Sequence, residues 1–261
     1  EIKNQNLLIT VVENPIIQNV FIEGVPRKKT TEAINDVISL KDRSSFNVTS
    51  VKEDELSISN YLKKQGYFFS SVVSSIEDLG NNKINLYYKI DLGNKARITK
   101  ISFVGNKKFK DNVLRNVIVS EEYKFWKIIS GKKFLNEDLV LLDKRLLRNF
   151  YKNKGFYKVN IESSFANFLG DDKFELIYNI SSGKKYFFDN LDLKLPLDYD
   201  VNNFNELQAM LSSLKGESYS LKPIEKILNE IDKIVLSKQY EFLKATVSEK
   251  INDNLINLVF N

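Results

Sequence analysis

The sequence predicts an α+β fold made of tandem repeats, each β-α-α-β-β, with a three-stranded mixed sheet covered on one face by two helices. Three observations carry this. One pattern occurs twice, at 58–104 and at 146–195: a helix stops at a glycine, a strand follows, a polar turn reverses the chain, and a second strand leads to another glycine. Gly66 and Gly155 stand 89 positions apart and Gly93 and Gly183 stand 90 apart, the shared period of tandem copies of one small domain. Within the stretch 83–92, apolar Ile84, Leu86, Tyr88 and Ile90 alternate with polar Lys83, Asn85 and Lys89, so that sheet buries one face. The helical stretches each carry one apolar stripe, which is the cover such a face needs.

Residues 1–13 read as the closing strand of a preceding repeat whose body is missing. A polar turn at 3–6 leads to an apolar run at 7–12, and Asn14-Pro15 ends it because proline cannot continue a paired strand. The chain opens inside a strand pattern, so it reads as a fragment of a longer protein.

The first full repeat is 14–94. A strand at 16–22 ends at Gly24. A helix at 30–39 has the stripe Ala33, Ile34, Val37 and Ile38. A second helix at 51–65 aligns Val51, Ile58, Tyr61 and Leu62, and Gly66 ends it in a left-handed conformation. A strand at 69–76, a turn at 80–82 and the strand 83–92 complete the unit.

The second repeat is 95–184. A strand at 98–104 ends at Gly105, and the helix 111–120 repeats the stripe as Val113, Leu114, Val117 and Ile118. An aromatic loop follows, containing Phe125 and Trp126. Asn136 caps a helix at 137–154 with Leu139, Leu142, Leu146 and Phe150 on one side. The hairpin is 156–168 with 173–181. The third repeat, 185–261, follows the same order, with Leu191, Leu193 and Leu195 in its first strand. Its helices carry Leu207, Met210, Leu211 and Leu214, then Ile224, Ile227, Leu228, Ile231 and Val235. Its hairpin is 244–251 with 255–260. Glu241 stands where the helix-ending glycine would align.

Composition excludes several functions. There is no cysteine and no histidine, which removes disulfides, thiolate nucleophiles and imidazole chemistry. The basic excess is 39 against 34, dispersed over turns such as Arg27-Lys28-Lys29 and Lys184-Lys185 rather than gathered into a nucleic-acid stripe. No run of about 18 apolar residues exists to span a bilayer. The carboxylate clusters Glu53-Asp54-Glu55 and Glu137-Asp138 fall early in helices, where negative charge is favourable, and Asp171-Asp172 is a turn. None has a partner that would make it catalytic, so the chain reads as a non-enzyme without metal or cofactor.

The candidate site is a sheet edge. The second strand of each repeat pairs with the third through a tight hairpin, which leaves its other side free. Its polar positions are serine and asparagine more than lysine, whereas edges are normally defended by charge or proline. An edge so lightly guarded suits capture of an extended chain by strand addition. A neighbouring loop or domain covering that edge is the competing reading. Proline at Val159 would remove an edge donor while sparing the fold.

The segments FVGNKKFKDNVLRNVI and LLRNFYKNKGFYKVNI, the hairpin closing near SSGKK, and the loop from Phe125 to Phe134 resemble the POTRA domains of BamA-type outer-membrane assembly proteins. The resemblance covers nearly the whole chain. It implies the tail of a first POTRA followed by the second, third and fourth. It also implies a non-enzymatic arm on the periplasmic face of the outer membrane of a Gram-negative bacterium, with a membrane barrel outside this fragment. Such an arm would bind unfolded outer-membrane proteins and dock accessory lipoproteins, BamB-like and BamD-like, and would bind no nucleic acid. By position, the strand-addition edge would be Tyr157, Lys158, Val159, Asn160, Ile161, Glu162 and Ser163, with Ser71, Val72, Val73, Ser74, Ser75 and Ile76 as its match in the preceding repeat. Phe125 and Trp126 would form a partner loop. A TamA-like or two-partner-secretion transporter, or a barrel-less periplasmic scaffold, would carry repeats of the same kind.

Overall fold

The computed structural model describes residues 2–3, 6–7, 13–124, 131–196, 199–238 and 245–261. The short strands β1 (Ile2–Lys3) and β2 (Asn6–Leu7) pair antiparallel. The rest of the expected strand at 8–12 lies outside the described residues, as do Glu241 and Lys244.

Three repeats of one topology follow. The first contains β3 (Ile16–Glu23), α1 (Lys28–Val37), α2 (Val48–Lys64), β4 (Ser71–Gly80) and β5 (Lys83–Asp91). The second contains β6 (Arg97–Asn106), α3 (Asp111–Arg115), α4 (Glu137–Lys152), β7 (Asn160–Gly170) and β8 (Lys173–Ser181). The third contains β9 (Phe187–Leu193), α5 (Asn205–Ser213), α6 (Leu221–Ser237), β10 (Val247–Asn252) and β11 (Leu255–Phe260). The sheet orders are β3-β5-β4, β6-β8-β7 and β10-β11-β9. The last strand of each repeat is therefore central, with the first and second strands at the two edges. In the first repeat β5 runs parallel to β3 and antiparallel to β4, and β11 stands in the same relation to β9 and β10. These are the mixed α+β sheets that the alternation predicts. By contact density the chain divides into two compact units, 1–98 with 123–138 and 169–174, and 99–122 with 139–168 and 175–261.

The alternating residues of the central strands form the cores. Ile84, Leu86, Tyr88 and Ile90 of β5 are buried with Ile34, Ile58 and Leu62 of α1 and α2. Leu176, Tyr178 and Ile180 of β8 are buried, as are Leu147 and Tyr151 of α4. In the third repeat Ile256, Leu258 and Phe260 pack with Leu207, Leu211, Ile227 and Ile231.

A buried carboxylate ties helix to sheet in the first two repeats. Asp54 of α2, 1 % exposed, accepts the N–H groups of Ser39 at 2.6 Å and Leu40 at 3.0 Å and the Tyr88 hydroxyl at 2.8 Å. Asp143 of α4, fully buried, accepts the N–H groups of Val119 at 2.6 Å and Ser120 at 3.3 Å and the Tyr178 hydroxyl at 2.6 Å. This bears on two departures from the expected boundaries. The chain after α1 turns extended at Ile38, and the N–H groups of Ser39 and Leu40 go to Asp54 instead of continuing the helix. α3 stops at Arg115 instead of running to 120; the Val117 N–H returns to the Leu114 carbonyl at 3.0 Å, and those of Val119 and Ser120 go to Asp143. The same tie also corrects the reading of Glu53-Asp54-Glu55: α2 starts at Val48, so these residues lie beyond its first turn, and the middle one is core. Third-repeat counterparts, counted along α6 and β11, are Ile227 and Phe260, both fully buried.

Glycine is required where β3 and β6 end. Gly24 has φ +85°, and a Cβ there would lie 1.8 Å from the Ile90 carbonyl oxygen. Gly105, at φ +87°, would place a Cβ 2.7 Å from the carbonyl oxygen of Ile180. The hairpin turns use left-handed pairs, Asn81 and Asn82 at φ 53° and 56° and Asp171 and Asp172 at 47° and 61°, which match the twist of the flanking strands.

Candidate functional site

β4 forms one border of its sheet, and all six expected residues Ser71, Val72, Val73, Ser74, Ser75 and Ile76 lie in it. The strand runs on to Gly80, further than the expected 76. Val73 and Ile76 are 60 % and 55 % exposed, and Leu79 is also exposed. Val72 instead packs against the core.

The edge is better guarded than the sequence suggests. Ser74 pairs with Tyr88 in register, but its N–H donates away from the sheet, to Oε1 of Glu55 at 2.9 Å. Glu55 in turn accepts from Lys52 Nζ at 2.8 Å. Burial alone would push this carboxyl up, but the hydrogen bonds from Lys52 and Ser74 outweigh it and hold Glu55 below its usual value. Glu55 is the residue that sequence reasoning missed. Its only sequence signal is its place in the acidic run Glu53-Asp54-Glu55, and nothing local in that run marks one carboxylate as the partner of a strand edge. Glu77, further along β4, accepts from Asn85 at 2.9 Å and Tyr87 at 2.7 Å, and these bonds lower its pKa. Tyr87 stacks on Phe21 of β3, ring centroids 4.9 Å apart, on the sheet face opposite the helices.

In the second repeat β7 occupies the corresponding border. Its first residue is Asn160, so only Asn160, Ile161, Glu162 and Ser163 of the expected seven lie in the strand. Ile161 is buried and Asn160 exposed. Tyr157, Lys158 and Val159 form the turn that precedes it, and they are committed elsewhere. The Tyr157 ring meets Tyr219 edge-on at 4.9 Å and Tyr186 at 5.6 Å, and its hydroxyl donates to Glu249. Lys158 Nζ sits 5.9 Å from the Tyr186 ring centroid. Val159 is buried and donates its N–H to the Phe156 carbonyl at 3.1 Å, so proline there would disturb this turn and not an edge. Beside them Asn153 Oδ1 accepts from the N–H groups of Leu221 at 2.8 Å and Lys222 at 3.2 Å, capping α6 from the preceding repeat. Two of the seven expected edge residues, Tyr157 and Lys158, thus contact the third repeat, and Val159 belongs to the turn beside them. Phe125 and Trp126 lie outside the described residues.

Among the described residues, no group of three or more Asp or Glu is placed to hold a metal ion, and no helix is long and apolar enough to cross a membrane. What the two borders offer chemically is main-chain donors and acceptors beside exposed apolar side chains. That chemistry reads an extended backbone with little demand on sequence.

Comparison with known proteins agrees with this architecture. The POTRA family model, described as surface antigen variable number repeat, matches residues 15–93 and 96–183. The outer membrane protein assembly factor BamA of Neisseria meningitidis serogroup B is 23 % identical over 254 residues, covering 95 % of this chain and 31 % of that protein. Its namesake from Buchnera aphidicola subsp. Acyrthosiphon pisum is 23 % identical over 270 residues, covering 98 % and 42 %. The chain therefore spans less than half the length of these curated relatives. In fold it is similar to the crystal structure of Haemophilus influenzae BamA POTRA3-5, with a TM-score of 0.53 at 12 % identity over 94 % of this chain and 95 % of that one. With the family model matching well over half of its residues, the chain belongs to the POTRA family.

Proposed function

We propose that the chain is part of the periplasmic arm of an outer-membrane protein assembly factor, and that its β4 and β7 edges take extended segments of unfolded outer-membrane proteins by strand addition. The arm docks accessory lipoproteins, BamB-like and BamD-like, and a β-barrel outside this chain performs membrane insertion. The observation that carries the reading is the border position of β4 with Val73 and Ile76 exposed on it, repeated topologically by β7. Such an edge supplies a row of main-chain groups, and affinity then depends on the partner's backbone more than its sequence. The names of the relatives support the assembly role: they are called outer membrane protein assembly factors.

Site-specific crosslinking tests this. A photo-crosslinking residue at Val73 or at Asn167 in β7 should form adducts with an unfolded outer-membrane β-barrel protein. The same residue at Leu56, exposed on α2, serves as control. Adducts at Leu56 and none at the strand positions would replace strand addition with binding on the helical face.

A further inference from the structure

Asp54 and Asp143 hold equivalent places. Each accepts from two successive backbone N–H groups and from the tyrosine of the central strand. The residue after each aspartate is therefore also equivalent: Glu55 in α2 and Lys144 in α4. Their targets correspond as well. Ser74 lies six residues before Gly80 at the end of β4, and Ser164 lies six before Gly170 at the end of β7. Glu55 closes on the Ser74 N–H at 2.9 Å, and its side chain is only 16 % exposed. Lysine has three donors and no acceptor, so it cannot make that bond. In α6 the counterpart is Leu228, after Ile227, which also has no acceptor.

The Ser74 N–H faces away from β5, and alternation along a strand gives Val72 and Ile76 the same outward sense. These are the donors that an added strand must use. A donor already held by a carboxylate is engaged in one of the stronger hydrogen bonds a backbone can make. An extended chain pairing along the front half of β4 must first release it.

We infer that Glu55 decides which edge receives an extended chain first: it latches β4 at Ser74, while the second repeat carries Lys144 at that position, a side chain with no acceptor to latch β7 in the same way. The inference rests on the strand-addition reading above and adds an order to it. A latched edge admits a chain only after paying for the lost Glu55 bond, so the more permissive edge fills at lower concentration.

The test uses the whole chain, with amide chemical shifts read during titration with a soluble peptide of about eight alternating valine and threonine residues. In the unmodified protein, β7 amides should shift at lower peptide concentration than β4 amides. Glu55→Ala should lower the concentration needed at β4 by roughly tenfold, the worth of one charge-assisted hydrogen bond, and leave β7 unchanged. Lys144→Glu should raise the concentration needed at β7. Hydrogen exchange without peptide gives an independent reading: the Ser74 amide should exchange roughly tenfold faster in Glu55→Ala, with its ladder-bonded neighbours unchanged. Equal Ser74 exchange in both proteins overturns the latch whatever the peptide does. Equal peptide affinity at β4 in both overturns it while strand addition stands. No shift at either edge in any variant, with Ser74 exchange still responding, overturns strand addition and the ordering with it.

Discussion

Asp143 accepts three hydrogen bonds with no exposure to water, so its loss strands two N–H groups and a phenol inside the second repeat. Asp143→Ala should destabilise the protein by about 3 kcal/mol in urea unfolding, since the stranded donors keep their desolvation cost. The pair Asp143→Ile with Tyr178→Phe should recover part of that loss, because the third repeat packs Ile227 and Phe260 at the same places without either polar group. A double change no better than Asp143→Ala alone would show that the uncapped N–H groups, not the phenol, dominate the cost. A second residue-scale consequence concerns Tyr157. Burial, and then the hydrogen bond to Glu249, push its pKa from 10.0 up to about 12. The fold holds this proton more tightly than the unfolded chain does. Its contribution is therefore complete below pH 10.0 and is lost as pH rises to about 12. Stability measured across that window should fall less steeply in Tyr157→Phe than in the unmodified chain, and equal slopes would place the phenol in solvent. These roles were half legible in the sequence. Tyr88 and Tyr178 repeat at the 90-residue period, and Asp54 and Asp143 recur 89 apart. Yet Asp54 was masked by acidic neighbours that resemble ordinary helix-start charge, and nothing local marks a carboxylate as buried.

At the scale of elements, strand alternation and glycine punctuation were read directly, because period two and left-handed stops are properties of short segments. The starts of the edge strands were not. Tyr157, Lys158 and Val159 look like strand, being aromatic, polar and β-branched, but Tyr157 finds aromatic partners in the third repeat and draws the turn with it. The pairing partner of an edge strand is equally invisible in its own residues. β4 showed few charges before Glu77, while its guard sits in α2, 19 positions earlier than Ser74. Ile76→Pro addresses the edge itself. Its N–H shares the outward sense of Ser74, so proline removes a capture donor and no bond to β5. The unfolding free energy should stay within about 1 kcal/mol of the parent, while peptide binding at β4 disappears. Unfolding of the first repeat by this change would mean that the donor is used inside the sheet.

For the whole molecule, the repeat period established the class of fold, and the family match over 15–93 and 96–183 agrees with it. The third repeat keeps the sheet order but departs from the other two in its residues: Glu241 stands where the helix-ending glycine would align, and apolar Ile227 and Phe260 replace the Asp–Tyr tie. The assembly role rests on resemblance, and the strand addition proposed for it uses backbone groups that every residue has, so no motif announces it. What makes an edge available is the topology, with the last strand of each repeat in the centre and the second on the border.

The central claim is that β4 and β7 are the surfaces that take an extended chain. The measurement that tests it most directly is an amide chemical-shift titration with a peptide copied from an outer-membrane β-strand. The account predicts shifts concentrated in Ser71–Gly80 and Asn160–Gly170, with the central strands and the helices quiet. Shifts confined to α2 or α4, or none at millimolar peptide, would contradict it.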